Sequence, residues 1–440
     1  MSKTDLPFSS LAHRLLTDLA AGSCVAITGL SNSGKSTLMR ALATQQAGQA
    51  YKAAGGRPAF MIYVDCNRAV AISAQAFYEV VLRSVVERLV EQVPSDLATV
   101  LRGYHQLITE SESGFSASLS FNLALTDLCE QLDRCLCLLI DEFDEIYSSL
   151  DERALLNLRA LRDRFSTQLT YATATLRNLP SLRGQTFEDE FAEMFSHSIY
   201  PMPLLDDDEA MRLLQSPDFS SLTPAREKIC HHLSGGHPGI LVATAQVLAR
   251  LPKDWEGDEA SIVHQDPQAR AECMKIWSQL TSEEQDSLLA LALDVEAGLP
   301  GQQLRHLERL ALLRQGKPFS PIFAEFVARK ARGPEIEAQG VFLDADSGDV
   351  WVDGIRIPVL TDLEFRLLSL LCDRLDKLTD KYHIVSSVWG ENYLGEIDDA
   401  RVEKLVSRLR SKIESDPANP RYLITQRGRG YKLLSIPRSY

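Results

Sequence analysis

Gly29-Leu-Ser-Asn-Ser-Gly34-Lys35-Ser36 follows the apolar run Cys24-Val-Ala-Ile-Thr28 and precedes the helix-length segment Thr37–Thr44. The spacing is that of a phosphate loop, G-x-x-x-x-G-K-[ST], in the strand–loop–helix setting the motif requires. Its glycines let backbone N–H groups curl around phosphate oxygens, and the helix start adds the positive end of its dipole. On this reading Gly29, Ser31, Asn32, Ser33, Gly34 and Thr37 frame the phosphates, with Lys35 on the β- and γ-phosphates and Ser36 on Mg²⁺. The ligand expected is ATP with Mg²⁺.

Outward from that loop, Phe60–Asp65, Cys135–Ile140 and Leu169–Ala174 are further strand candidates, separated by helix-length segments. Such alternation predicts a parallel α/β sheet. Cys135–Ile140 is apolar throughout, as a central parallel strand buried on both faces must be, and it ends in Asp141-Glu142. Asp141 is the candidate for the Mg²⁺ shell, and Glu142 for the group that orients or deprotonates the attacking water. The plainer reading of Glu142 is an exposed loop acid. Thr175 and Arg177, just past Leu169–Ala174, are candidates for sensing the γ-phosphate, although a surface arginine would look the same. Lys35, Glu142 and Arg177 thus make up the candidate catalytic set. Farther on, Ser234-Gly-Gly-His-Pro-Gly239 interrupts a helical context. It is either a close approach to the ligand through Pro238 or an interhelical turn.

Together these pieces resemble the signal-transduction ATPases, the STAND branch near the AAA+ proteins. The strings that carry the resemblance are the phosphate loop, Ile140-Asp-Glu-Phe-Asp-Glu145 and Gly236-His-Pro238. The resemblance implies a P-loop ATPase domain over 1–205 and a helical lid over 206–255 whose Pro238 lies near the base. It also implies a middle winged-helix-like domain over 266–331. Residues 252–265 read as a polar linker, and 331–339, with Gly333 and Pro334, as a second joint. No tandem repeat follows the middle block, so the long sensor array usual in that class is missing.

Residues 340–440 read differently. Val350-Trp-Val352 and Ile355-Arg-Ile357 alternate around Asp353-Gly354, a two-residue hairpin signal. Thr361-Asp-Leu-Glu364 is a capping box ahead of an apolar helix, and Trp389-Gly390 closes a second one. A third helix is expected over 399–415, with Val402, Leu405, Val406, Leu409 and Ile413 on one buried face. Arg401, Lys404, Arg408 and Lys412 group beside that face. Ser407 and Ser411 complete the exposed surface, and Arg410 takes the other flank. A cationic stripe of this kind suits the major groove, where arginine forks onto guanine O6 and N7, although a solvated basic face is the alternative for the helix alone. The segment Tyr422–Leu434, with Arg427 and Arg429 at a glycine-rich tip, is a basic hairpin beside it.

The stretch closely resembles the OmpR/PhoB-type regulatory domain through Leu360-Thr-x-x-Glu-Phe365, Val388-Trp-Gly390, Val406-Ser-Arg-Leu-Arg-Ser-Lys412 and Thr425-x-Arg-Gly-x-Gly-Tyr431. The resemblance implies that Arg408 reads a base edge of double-stranded DNA and that Arg410 and Thr425 hold phosphates. It further implies that Arg427 enters the adjacent minor groove and Tyr431 packs or hydrogen-bonds near the wing. Ala400 stands where the family often has arginine, and Lys404 replaces an often apolar reader, so no target sequence carries over.

Composition fits this division. The 440 residues carry 46 basic and 60 acidic side chains, a net −14, which argues against a surface coated for non-specific nucleic-acid binding. Yet residues 401–440 hold ten basic and three acidic residues, leaving 36 basic and 57 acidic in the first 400. No apolar run approaches the roughly 18 residues of a membrane span. The start lacks a secretory h-region, and the eight cysteines form no C-x-x-C pair, so buried reduced thiols and a cytoplasmic location are expected. The whole reads as an ATP-dependent, sequence-specific transcriptional regulator with slow hydrolysis as a switch. Its expected partners are DNA, further copies of itself on ATP binding, and RNA polymerase. The alternative is an ATP-driven defence or DNA-remodelling machine that uses the winged helix as a tether.

Overall fold

The computed structural model describes residues 6–184, 189–252, 255, 257–293, 300–332, 340–344, 349–357, 360–389, 396–426 and 428–435. They divide into two compact units, Met1–Gln285 with Leu299–Ala324, and Asp286–Gly298 with Glu325–Tyr440.

The first unit opens with α1 (Ser9–Ala20), β1 (Val25–Thr28), α2 (Lys35–Leu42) and α3 (Gln45–Ala53), followed by β2 (Ala59–Asp65) and α4 (Ala74–Leu89). A helical pair, α5 (Ser95–Thr109) and α6 (Gly114–Gln131), leads into β3 (Cys135–Asp141). Then come α7 (Asp144–Ser149), α8 (Glu152–Arg164), β4 (Leu169–Thr175), α9 (Leu179–Leu182), α10 (Glu190–Glu193) and β5 (Ile199–Pro201). The five strands are parallel in the order β2-β3-β4-β1-β5. Every residue of β3 and β4 is buried, which is why both read as nearly unbroken apolar or small-residue runs. Because β4 lies between β1 and β3, their carboxyl ends bring the phosphate loop, Asp141-Glu142 and Thr175 to one edge. Side-chain caps start three of these helices: Ser73 caps α4, Ser113 caps α6 and Asp151 caps α8. An aromatic cluster fills the layer between sheet and helices, with Tyr78 stacked on Phe121 at 4.4 Å between ring centroids.

Helices α11 (Asp207–Leu214), α12 (Pro224–Ser234) and α13 (Pro238–Ala249) cover the stretch expected to form a lid. Asp206 and Glu209 make a reciprocal capping box at its start. Gly235, at φ 59°, ends α12 where a Cβ would fall 1.8 Å from the Phe319 carbonyl oxygen, so no larger residue fits. The expected linker 252–265 is partly helical instead: α14 spans Glu259–Gln265. Asp258 caps it, and Glu259 accepts from Nε of buried Arg226 at 2.7 Å, a tertiary partner that polar composition alone did not reveal. Beyond it lie α15 (Pro267–Ser278), α16 (Ser282–Ala292), α17 (Gly301–Arg309), the short hairpin β6 (Leu313–Arg314) and β7 (Lys317–Pro318), and α18 (Pro321–Arg332). The joint proposed at Gly333 and Pro334 is outside the described residues.

In the second unit β8 (Val341–Leu343), β9 (Val350–Val352) and β10 (Ile355–Arg356) form an antiparallel sheet. Its tight turn has Asp353 at φ 52° and Gly354 at φ 78°, as a two-residue hairpin demands. Helices α19 (Asp362–Asp373), α20 (Lys381–Trp389) and α21 (Glu396–Ile413) precede the hairpin β11 (Leu423–Gln426) and β12 (Gly430–Leu433). The third helix therefore starts three residues earlier than the apolar pattern suggested. Leu367, Leu368, Leu371, Val385, Val388, Val402 and Leu409 form part of one core under this domain.

Candidate functional site

Around the phosphate loop, Asn32 (φ 56°) and Gly34 (φ 96°) adopt left-handed conformations, which turn successive N–H groups toward one concavity. Gly34 is required twice over, because a Cβ there would also meet the Phe8 ring at 2.7 Å. The helix begins at Lys35, two residues before the expected start, because the loop runs straight into α2. Lys35 is buried and donates from Nζ to the carbonyl oxygens of Gly29 (2.7 Å) and Leu30 (3.2 Å). Burial lowers its pKa, against the pull of Glu142, Asp144 and Asp141.

The carboxylates occupy different settings. Asp141 is fully buried at the end of β3, accepting from Tyr63 Oη (2.8 Å) and from the Glu142 amide (3.0 Å). Glu142 lies beyond the strand at φ 52°, exposed, with Oε1 3.5 Å from Ser36 Oγ. Although the side chain is open to the cleft, partial desolvation by the surrounding protein raises the Glu142 carboxyl pKa, Lys35 opposes this, and Asp141 and Asp144 push it further up. Ser36 and Glu142 are therefore brought together, while Asp141 reaches the same edge behind them.

A cleft of 1340 Å³ opens over Ser31, Asn32, Gly34, Lys35, Ser36, Thr37 and Glu142. Pro238, at the first turn of α13, also lines it, whereas Gly29 and Ser33 line a small space behind the loop with His237. His237 caps α13, with Nδ1 accepting from the Ile240 amide, and burial lowers its pKa to about 4. The Gly239 amide donates to the Asn32 carbonyl (3.1 Å), so the first turn of α13 touches the phosphate loop.

Other cleft residues carried no sequence signal. Gln279 Oε1 accepts from the Ser31 amide (2.7 Å), and Glu272 Oε2 accepts from Asn32 Nδ2 (2.6 Å). Both come more than 200 residues after the loop, on ordinary-looking helical sequence. Phe8, Asn67 and Arg212 line the cleft as well.

Arg177 departs from its expected role. Its guanidinium forks onto Glu284, with NH1 to Oε1 at 2.8 Å and NH2 to Oε2 at 2.7 Å, and NH2 also donates to the Gln279 carbonyl (2.9 Å). It does not line the cleft. A buried carboxylate captures it in place of a phosphate. His306 Nε2 lies 2.8 Å from the same Glu284. Burial pushes the Glu284 carboxyl up, but Arg177, His306 and the Thr281 amide pull it down to about 2.

In the second unit, Lys404, Ser407, Arg408 and Ser411 are exposed along α21, while Val402, Leu405, Val406, Leu409 and Ile413 are buried on its other side. The remaining cations of the expected stripe are engaged inside the domain. Arg401 stacks over the Trp389 ring at 4.8 Å. Lys412 Nζ donates to Glu364 Oε2 at 2.7 Å, joining α21 to the capping-box glutamate of α19. Arg410 donates to the Leu423 carbonyl from Nε (2.9 Å) and NH2 (2.6 Å) and to Thr425 Oγ1 (2.8 Å). In this structure it fastens the wing to α21. Thr425 and Arg429 are exposed, and Arg427 and Gly390 lie outside the described residues. Tyr431 is buried, and next to it Gly430, at φ 132°, would place a Cβ 2.2 Å from the Thr379 carbonyl oxygen. Glu414 anchors the wing's first strand, accepting from the amides of Arg421, Tyr422 and Leu423 at 2.8–2.9 Å.

Comparison with known proteins resolves the same two parts. Residues 19–178 match the model for an AAA domain, and residues 358–433 match that for "Transcriptional regulatory protein, C terminal". Sensory transduction protein RegX3 of Mycolicibacterium smegmatis is 41% identical over 100 residues, which cover 22% of this chain and 42% of RegX3. The match thus spans less than half of that relative's length. Among solved structures, the Walker-type ATPase PABY2304 of Pyrococcus abyssi is similar at 15% identity, over 72% of this chain and 94% of that one, with a TM-score of 0.46. The DNA-binding domain of CpxR from E. coli is similar at 28% identity, over 23% of this chain and 98% of that one, with a TM-score of 0.20. Among the described residues no helix is long and apolar enough to cross a membrane. The chain joins an AAA-type P-loop ATPase domain to a C-terminal regulatory domain of the OmpR/PhoB type.

Proposed function

We propose that the chain is an ATP-dependent, sequence-specific DNA-binding transcriptional regulator of the STAND type, in which nucleotide state controls the C-terminal winged helix. The observation that carries this reading is a phosphate loop with Ser36 beside Glu142, in one chain with a recognition helix that leaves Lys404, Ser407 and Arg408 bare. The cleft volume suits a nucleotide. Loop amides and Lys35 take the phosphates, Pro238 and the lid close over the ligand, and the apolar side chains around Phe8 take the base.

Mg²⁺ fits the donor set, with Ser36 Oγ and the Asp141–Glu142 carboxylates at one edge; when bound it neutralises charge on the phosphate oxygens. Glu142 orients the attacking water and accepts its proton. Partial desolvation and the neighbouring Asp141 and Asp144 favour the proton on that carboxylate. Hydrolysis is slow and serves as a switch. Residues 266–331 act as a middle winged-helix-like element that relays the state of the cleft.

Arg408 reads base edges and Lys404 and Ser407 flank it, while Thr425 and the wing arginines Arg427 and Arg429 hold the backbone and the minor groove of double-stranded DNA. ATP-driven self-association clusters such domains and raises their effective concentration on DNA. RNA polymerase is the partner such a cytoplasmic regulator would meet at a promoter. The test is the affinity for a selected DNA site with ATP, with ADP and without nucleotide. ATP should tighten binding at least about tenfold, or roughly 1.4 kcal/mol; three equal affinities reject the reading. In parallel, Glu142→Gln should keep ATP bound while hydrolysis falls.

A further inference from the structure

Gln279, the residue that ends α15, lines the cleft together with Ser31, Lys35, Ser36 and Glu142. Its Oε1 accepts from the Ser31 amide at 2.7 Å. A backbone N–H can only donate, so that bond fixes which way the side-chain amide faces: oxygen toward the loop, Nε2 away from it. Nε2 donates to no acceptor among the described residues. It is not sealed in the interior either, because the half-buried side chain forms part of the cleft wall. A planar amide held by its oxygen thus keeps an N–H donor for whatever occupies the cleft.

The backbone behind that side chain is fastened from several directions. Arg177 donates from NH2 to the Gln279 carbonyl (2.9 Å) while its guanidinium forks onto Glu284. Glu284 Oε2 accepts from the Thr281 amide (2.8 Å) and Thr281 Oγ1 from the Glu284 amide (3.3 Å), a capping box at the start of α16. Gln285 Nε2 reaches back to the Trp277 carbonyl (3.0 Å). The elbow between α15 and α16 is therefore locked, and little side-chain freedom is left for a ligand to freeze out. The same bonds say where the amide stands. Ser31 follows β1 and Arg177 follows β4, adjacent strands of the sheet. The Leu176 amide donates to Asp144 Oδ1 (2.8 Å) just beyond β3. Gln279, tied to both Ser31 and Arg177, stands over the strand ends to which Asp141 and Glu142 also belong.

We propose that Gln279 binds the terminal phosphate of a nucleoside triphosphate through Nε2, and so sets the preference of the cleft for triphosphate over diphosphate. The inference rests on the nucleotide reading of the cleft, not on control of the DNA-binding domain. With Lys35 on the β- and γ-phosphates and Glu142 on the attacking water, the last phosphate lies at these strand ends. A diphosphate stops one group short of them. A hydrogen bond from a neutral amide to a charged phosphate oxygen is of the stronger kind, and it is made only when the third phosphate is there.

The test is calorimetric titration of the full chain, in Mg²⁺, with ADP and with the non-hydrolysable imido analogue of ATP. Gln279→Glu keeps an oxygen for the Ser31 amide and replaces the donor by a second, charged oxygen in nearly the same volume. Its ratio of triphosphate to diphosphate affinity should fall at least about tenfold, the size expected for one hydrogen bond to a charged group. Gln279→Leu, which removes both polar atoms and adds no repulsion, should lower the ratio by less. A ratio unchanged in Gln279→Glu overturns the proposal. So does tighter triphosphate binding in Gln279→Leu, the result expected of an amide that only plugs the loop. A wild type that binds neither nucleotide overturns both this proposal and the nucleotide reading. If the ratio falls in Gln279→Glu while ATP leaves DNA affinity unchanged, Gln279 is upheld and nucleotide control of the winged helix is rejected.

Discussion

The phosphate loop and helix α21 hold their polar side chains in opposite ways. In the loop, Lys35 is turned inward onto the Gly29 and Leu30 carbonyls, Asn32 is bonded to Glu272, and the Ser31 amide is taken by Gln279. On α21, Lys404, Ser407 and Arg408 stand in solvent, held in place only by the buried side of their helix. On the proposed function, a ligand in the cleft exchanges existing hydrogen bonds for new ones, which would couple binding to rearrangement. DNA meets side chains that have little internal bonding to give up. The first arrangement suits a switch and the second suits a reader.

The largest expected effect breaks the nucleotide side of that contrast. Lys35→Ala should lower ATP affinity by about 3 kcal/mol or more, as buried charge-assisted bonds to phosphate are lost; calorimetric titration checks this. Near-wild-type affinity would move the site elsewhere.

Next is Gly430→Ala at the wing. The added Cβ meets the Thr379 carbonyl at 2.2 Å and the φ of 132° disfavours it, so thermal melts of the C-terminal domain should show a loss of about 2–4 kcal/mol.

Arg408→Ala should cost about 1–3 kcal/mol on a selected site and relax preference at one position, with the fold intact. Arg410→Ala sharpens the comparison, because its three hydrogen bonds lie within the domain. It should lower domain stability by about 1–2 kcal/mol and weaken DNA binding through a loosened wing. Binding curves over a salt series separate the two, since a lost phosphate contact reduces the salt slope by about one.

The smallest effect concerns pH. Glu284 is held near pKa 2 by Arg177 and His306 against the opposing effect of burial. A carboxyl whose folded pKa is depressed adds stability that is fully present above its unfolded value, about 4.3, and is lost as pH falls toward 2. The stability difference between wild type and Glu284→Gln should therefore shrink as melts are taken from pH 6 down toward pH 3. A difference constant over that range would disconnect the carboxylate from the Arg177 fork.

Local chemistry explains what could be read along the chain. The phosphate loop, the Thr361–Glu364 capping box and the Asp353-Gly354 turn each need particular residue types within a few positions. The buried face of α21 was legible for the same reason, because a helix period repeats within one element. The fate of Arg177, Arg410 and Lys412 was not. Each is a basic side chain at a plausible functional position, yet each meets a partner that is distant in sequence: Glu284, the Leu423 carbonyl and Glu364. The helical span Glu259–Gln265 was missed on similar grounds, since Glu259 finds its partner in Arg226.

By itself, then, the sequence determined the strand–loop–helix at Gly29–Ser36, the acidic end of β3, and a basic helix followed by a wing. Short-range sterics and hydrogen bonding suffice to specify those features. Only the tertiary structure decided which cations remain available to a ligand. A guanidinium or ammonium reaches several ångströms and pairs with whatever carboxylate or carbonyl the fold brings near. Packing left Arg408 bare, put Arg177 on Glu284, and set Gln279 and Glu272 against the phosphate loop.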